Sequence, residues 1–155
     1  MKKGMNILVA YDGSETSRHA LDQGVSLAKL TQSKIFILSV VSRIMLPIFP
    51  EEGTGASSIS TAQEITELQK RMKEYFSESL KKAKEEILGN YQDLELETRL
   101  LEGRPSSTIV EEAEKGDFDL LVMGSRGLGG ISGWILGSTS RRVVESCKLP
   151  VLIIK

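Results

Sequence analysis

Five short apolar runs alternate with four stretches of helical periodicity along this chain. The first run, Asn6 to Tyr11, is apolar without a break from Ile7 to Ala10, the pattern of a strand buried on both faces. Asp12-Gly13-Ser14 then turns the chain, and Ser14 is a helix N-cap with Glu15 in the first turn. Ala20, Leu21, Val25 and Ala28, with Leu27 beside them, form the apolar stripe of a first helix that ends near Leu30. A second strand, Lys34 to Val41, carries Ile35-Phe36-Ile37-Leu38 and Val40-Val41.

The stretch from Ser42 to Ser60 has no clear period and holds Pro47, Pro50, Gly53 and Gly55. It reads as a long loop, of the kind that is commonly functional, and its Met45, Leu46, Ile48 and Phe49 suit folding over a ligand or a partner. Thr61 and Glu64 have the spacing of a capping box. The helix that follows puts Ile65, Leu68, Met72, Tyr75, Phe76, Ala83 and Ile87 on one face. Its other face carries Glu67/Arg71, Lys70/Glu74, Glu78/Lys82 and Lys81/Glu85 pairs, a solvated surface, and Gly89 reads as its left-handed stop. Strict alternation over Leu94 to Leu100 predicts a third strand with one wet face, at a sheet edge.

Pro105 opens a third helix in which Ile109, Val110 and Ala113 face inward, and Gly116 ends it. Phe118 to Met123 is the fourth strand, Ser138 to Cys147 the last helix, and Val151 to Ile154 the last strand after Pro150. This βαβαβαβαβ order predicts an α/β fold, a five-stranded parallel doubly wound sheet of order 3-2-1-4-5 with helices on both faces. In such sheets ligands sit beyond the carboxyl ends of the strands, where the order reverses. The first and fourth strands, ending at Asp12-Gly13-Ser14 and Gly124-Ser125, are the expected pair flanking that crevice.

Composition narrows the function. The 155 residues suit one domain, residues 1–155. A net charge of −1 lacks the basic excess of a nucleic-acid binder, so none is expected as a partner. With one cysteine, Cys147, and one histidine, His19, neither an internal disulfide nor a Cys/His zinc site is available within the chain. Cys147 reads as a small core residue and His19 as a partly exposed helix residue. The N-terminal apolar run is too short for a signal peptide, and no run approaches the about 18 residues of a membrane span, so a cytoplasmic protein without membrane attachment is expected.

One segment calls for a chemical explanation. Six of the 14 glycines fall between Gly124 and Gly137, and each costs backbone entropy on folding. A flexible connector is one explanation. The other is a backbone that approaches an anion closely, since this loop joins a buried strand to a helix start. Gly137-Ser138-Thr139-Ser140 adds three hydroxyls there, and Arg126, Arg141 and Arg142 add positive charge. Anion binding accounts for more of these features. A Walker A loop needs lysine after its last glycine, where Ser138 stands. A dinucleotide fingerprint needs glycine where Ser132 stands, and belongs after the first strand rather than the fourth.

Gly124-Ser125-Arg126-Gly127, nine residues, then Gly137-Ser138 resembles the G-x-x-G-(nine)-G-S/T signature of ATP-binding universal stress proteins. Asn6 to Ser14 resembles that family's opening strand and turn, Phe118 to Ser125 its fourth strand, and Lys148 to Ile153 its last. The resemblance implies an adenine nucleotide, ATP or AMP, as ligand, with Mg²⁺ as an accompanying ion for ATP. It implies that Asp12 contacts the ribose or adenine, and that Ala10 and Val40 line the adenine pocket with Met123 packed nearby. Tyr11 is bulkier than is usual at its position, and would narrow that pocket or stack on the base. Gly124, Ser125, Arg126 and Gly127 would wrap the ribose and phosphates, and Gly137, Ser138, Thr139 and Ser140 would bind the phosphates. Without the loop, Asp12 reads equally well as a turn residue or cap. No catalytic residue and no protein-held metal is expected, because the loop has no carboxylate pair beside it and no Walker lysine. The reading is a regulatory stress-response protein with slow ATP hydrolysis at most. A phosphotransfer enzyme and a nucleotide-free, chaperone-like interaction module are the alternatives. The apolar last strand, Val151 to Ile154, and the resemblance both point to a homodimer paired through that edge.

Overall fold

The computed structural model describes residues 4–45, 55–128 and 135–155, with backbone alone over 55–60. Its elements run β1 (Asn6–Ala10), α1 (Glu15–Thr31), β2 (Lys34–Val41), α2 (Gly55–Asn90), β3 (Leu96–Glu102), α3 (Pro105–Lys115), β4 (Leu120–Gly124), α4 (Ser138–Ser146) and β5 (Val151–Ile154). The five strands form one parallel sheet in the order β3-β2-β1-β4-β5.

Side chains alternate between the two faces of a strand, so each uninterrupted apolar run feeds two cores. Ile7, Val9, Ile35, Ile37 and Val122 pack with Ala20, Leu21 and Val25 of α1 and with Leu80, Ala83 and Ile87 of α2. Leu8, Ala10, Phe36, Leu38, Leu121 and Met123 pack on the other face with Ile109 and Ala113 of α3 and Val143 of α4. The central strand β1 pairs β2 on one side and β4 on the other, with Ala10 opposite both Leu38 and Met123. Its carboxyl end is therefore the point at which strand order reverses.

Several boundaries differ from those read in the sequence. Helix α2 starts at Gly55, so Thr61 lies inside it and forms no capping box. After Pro50 the sequence holds no proline before Pro105, and Ala56, Ile59, Ala62 and Ile65 continue a helical spacing that the serines obscure. The helix also runs through Gly89 to Asn90, without a left-handed residue there. The left-handed stop falls instead at Gln32 after α1, with φ 53°. Strand β3 begins two residues later than the alternation suggested, because its ladder with β2 starts at Ile35–Leu96. It does lie at the sheet edge. His19 is exposed, and Cys147 is half-buried against the α3/α4 core. Of the segment Met45 to Phe49, expected to fold over a ligand or a partner, Met45 is exposed, while Leu46 to Phe49 and positions 129–134 of the glycine loop lie outside the described residues. No helix among the described residues is long and apolar enough to cross a membrane.

Candidate functional site

The turn after β1 is built by its own polar side chains. Gly13 sits at φ 83°, in the left-handed region that glycine enters without strain. Asp12 closes the turn, with Oδ1 accepting from the Ser14 amide at 2.9 Å. Ser14 then caps α1, its Oγ accepting from the Ser17 amide at 3.3 Å. The Ser17 hydroxyl donates to the Ser14 carbonyl at 2.9 Å.

The segment after β4 is tied to this turn. Thr16 Oγ1 donates to the Arg126 carbonyl at 2.6 Å, and the Leu128 amide donates to Asp12 Oδ2 at 3.1 Å. A Cβ at Gly124 would stand 2.7 to 2.9 Å from Thr16 Oγ1, Thr16 C and Ser17 N. One at Gly127 would stand 2.6 Å from Asp12 Oδ2. These two glycines make room for the protein's own groups. At Gly137 a Cβ would meet nothing nearer than 3.5 Å, an ordinary contact.

Between the two turns lies a cleft of about 430 Å³ at the carboxyl ends of β1, β2 and β4. Of the residues singled out in the sequence, Ala10, Tyr11, Asp12, Val40 and Met123 line it from the strands and first turn. Gly124, Arg126 and Gly127 line it from the loop, and Gly137, Ser138, Thr139 and Ser140 from the start of α4. Ser125 does not. Its amide donates to the Ile154 carbonyl at 2.7 Å, and its own carbonyl accepts from the Gly137 amide and the Ser140 hydroxyl, at 2.8 and 2.7 Å. Ser125 splices β4 to β5 and holds the start of α4 in place. The single O–H of Ser140 is committed within that splice, lying also 3.0 Å from the Gly137 carbonyl, which leaves its oxygen able to accept but not to donate.

Tyr11 lines the cleft from the end of β1 without standing free in it. It is buried in the core under α1 and α2. Its backbone is locked to β2, with its amide donating to the Leu38 carbonyl at 2.8 Å and its carbonyl accepting from Ser39 Oγ at 2.5 Å. In a parallel ladder alternate residues turn their polar backbone groups to the same neighbour. Leu38 faces β1, and so does Val40 two residues on. Since β1 ends at Ala10, Val40 presents its amide and carbonyl toward the cleft.

The cleft has walls that sequence reading did not assign to a site. Met72 and Phe76 of α2, Ile109 and Pro105 of α3, and Leu38 of β2 all face it. The i, i+4 spacing of Met72 and Phe76 signals an inward helical face, but not that this face overhangs the strand ends. Next to Met72, Lys73 pairs with Glu102 at the end of β3 at 2.7 Å. The ammonium holds the Glu102 carboxyl below the usual carboxylate range. Far from the cleft, the Glu95 carboxylate raises Lys34 above its ordinary value.

At one end, then, the cleft is apolar, with polar backbone at its floor. At the other it meets α4, whose N-cap Gly137 brings no side-chain hydrogen bond and whose first turn holds no acidic residue. The first amides of a helix have no partner within it, and they carry partial positive charge. This end suits an anion. Among the described residues, Asp12 is the one carboxylate in the lining, and no group of three His, Cys, Asp or Glu side chains is placed to hold a metal ion.

Comparison with known proteins agrees with this architecture. A universal stress protein of Methanocaldococcus jannaschii is 34% identical over 149 residues, 96% of this chain and 81% of its own. YxiE, a universal stress protein of Bacillus subtilis, is 31% identical over 158 aligned residues, 96% of this chain and 97% of its own. Among solved structures, universal stress protein UspA from Lactobacillus plantarum superposes with a TM-score of 0.80 at 23% identity over the full length of both chains. A universal stress protein crystallised in complex with cAMP superposes with a TM-score of 0.69 at 25% identity, over 99% of both chains. Residues 5–155 match the model of the universal stress protein family. The chain belongs to the universal stress protein family.

Proposed function

We propose that this protein binds an adenine nucleotide, ATP or AMP, in the cleft between β1 and β4, and that occupancy sets its conformation or its choice of partner. Residues 1–155 act in this reading as one nucleotide-binding domain. The observation that carries it is the start of α4. There the helix is left without a side-chain cap, and Gly137 is a glycine that neither a positive φ nor the protein's own packing requires. A phosphate oxygen lying against the Ser138 and Thr139 amides supplies the missing cap, and needs a bare backbone beside it. The apolar end, with Ala10, Met123, Ile109 and Phe76, suits the flat face of a base. The Val40 amide and carbonyl are placed for the acceptor and donor on its edge. The structural neighbour solved with cAMP supports the same ligand chemistry of base, ribose and phosphate.

A single carboxylate whose oxygens already accept backbone amides is poorly placed to activate water, so regulated binding fits better than turnover. Mg²⁺, when ATP brings it, is held by the phosphates. Titration calorimetry of the purified chain with ATP, ADP, AMP and GTP tests the reading. We expect saturable heat and a raised Tm with an adenine nucleotide, and a weaker response to GTP. Silence with all the adenine nucleotides would leave the interaction module as the better account. Many turnovers per second with Mg²⁺ and ATP would favour the enzyme.

The edge strand β5 is the proposed homodimer contact. It exposes Leu152 at 39%, and Val144 of α4 adds 44%. An open apolar edge of this kind invites pairing with a second copy. Sedimentation at micromolar concentration should show a dimer, and a monomer there would overturn the assignment.

A further inference from the structure

The carboxylate of Asp12 reaches in two directions. One oxygen accepts from the Ser14 amide within its own turn, and the other accepts from the Leu128 amide, 116 positions away in the glycine loop. Gly127 precedes that amide, and the volume its Cβ would fill is occupied by Asp12 Oδ2. Among the described residues Asp12 Cγ, at 3.8 Å, is the other atom near that position, and Gly127 does not have a positive φ. Among the described residues neither backbone strain nor general crowding explains this glycine. The carboxylate does.

We propose that Asp12 is the positioning residue of the glycine loop, and that Gly127 is glycine so that Asp12 can hold the Leu128 amide. The carboxylate accomplishes this before any ligand arrives. With Thr16 holding the Arg126 carbonyl, it fixes Arg126 to Leu128 along one side of the cleft. A carboxylate oxygen accepts more than one hydrogen bond, so Asp12 keeps acceptor capacity for a ligand hydroxyl while it holds the loop. The position of the loop and the recognition of the ligand then depend on one side chain. Displacing that side chain weakens binding of phosphates it does not itself touch.

The loop part of this inference stands on the ligand-free protein, whereas its effect on binding rests on the nucleotide reading above. The test is a double-mutant cycle on the full chain, read by amide hydrogen exchange at Leu128. Asp12→Ala should speed exchange there about five- to tenfold, the worth of one partly exposed hydrogen bond. Gly127→Ala should do nearly the same in the wild-type background, because its methyl displaces Oδ2. In the Asp12→Ala background Gly127→Ala should add less than about twofold, since the clash is gone. Equal effects of Gly127→Ala in both backgrounds, or unchanged Leu128 exchange in Asp12→Ala, would overturn the proposal. Tripolyphosphate, which has no ribose, supplies the binding arm. Gly127→Ala changes no charge, yet it should weaken tripolyphosphate by about threefold or more in the wild-type background and little in Asp12→Ala. Unchanged tripolyphosphate affinity in Gly127→Ala would confine Asp12 to ligand contact and sink the positioning role in binding. If the wild-type chain bound neither ATP nor tripolyphosphate, the nucleotide reading would fail while the exchange cycle still decided the loop.

Discussion

Helices α1 and α4 begin at the same end of the sheet and face the same cleft, but they begin differently. At α1 the chain finishes its own helix start: Ser14 caps it, Glu15 puts a negative charge in the first turn, and Asp12 closes the turn before it. At α4 the N-cap is Gly137, there is no side-chain cap, and Arg141 and Arg142 put positive charge near the positive end of the helix. One start is capped from within. The other has no side-chain cap, and it is where the proposed phosphate would lie. The same division runs through the glycines, since Gly124 and Gly127 accommodate α1 and Asp12, while a Cβ at Gly137 would make only ordinary contacts.

The largest effect should come from breaking the closed side. Gly124→Val would drive a side chain into the Thr16 and Ser17 backbone at under 3 Å. Those atoms belong to the first turn of α1 and have no rotamer by which to yield. We expect a loss of about 1–3 kcal/mol or more in stability, seen as a lower urea midpoint with unchanged slope. A variant as stable as the wild type would show that the α1 start is free to move, and the contrast between the two helices would lose its basis.

How much of this was legible beforehand follows from the range of the interactions. The strand runs and the element order depend on local pattern, and they were read correctly as a parallel sheet with β1 at its centre. Ser14 was legible as a cap because a cap and its partner lie three residues apart. The glycine spacing marked the loop for the same reason. What the sequence could not show was that Asp12 contacts Leu128, or that Met72 and Phe76 overhang the strand ends, because both depend on how distant segments pack. Proximity in the motif did not show what Ser125 and Ser140 hold together. The Ser125 backbone and the Ser140 hydroxyl join β4, β5 and α4, while Ser140 also lines the cleft. The start of α2 was missed because serines and a glycine hid a weak helical period.

The smaller effect is the more discriminating one, because stability and binding should move in opposite directions. Ser138→Asp places a carboxylate in the first turn of α4, where it supplies the charge the helix start lacks. Stability should rise by about 0.3–1 kcal/mol. The same carboxylate would repel a phosphate at that turn, so ATP affinity should fall at least tenfold. Ser14→Ala is the matched change at the other helix. It removes the α1 cap and should cost about 0.5–2 kcal/mol, while ATP affinity, once corrected for any unfolded fraction, stays within about twofold. The two variants thus predict opposite patterns, one more stable and unable to bind, the other less stable and still binding. If Ser138→Asp bound ATP as the wild type does, the open start of α4 would not be where the phosphates lie. A ligand in the cleft would then have to be held from the β1 and β2 side alone.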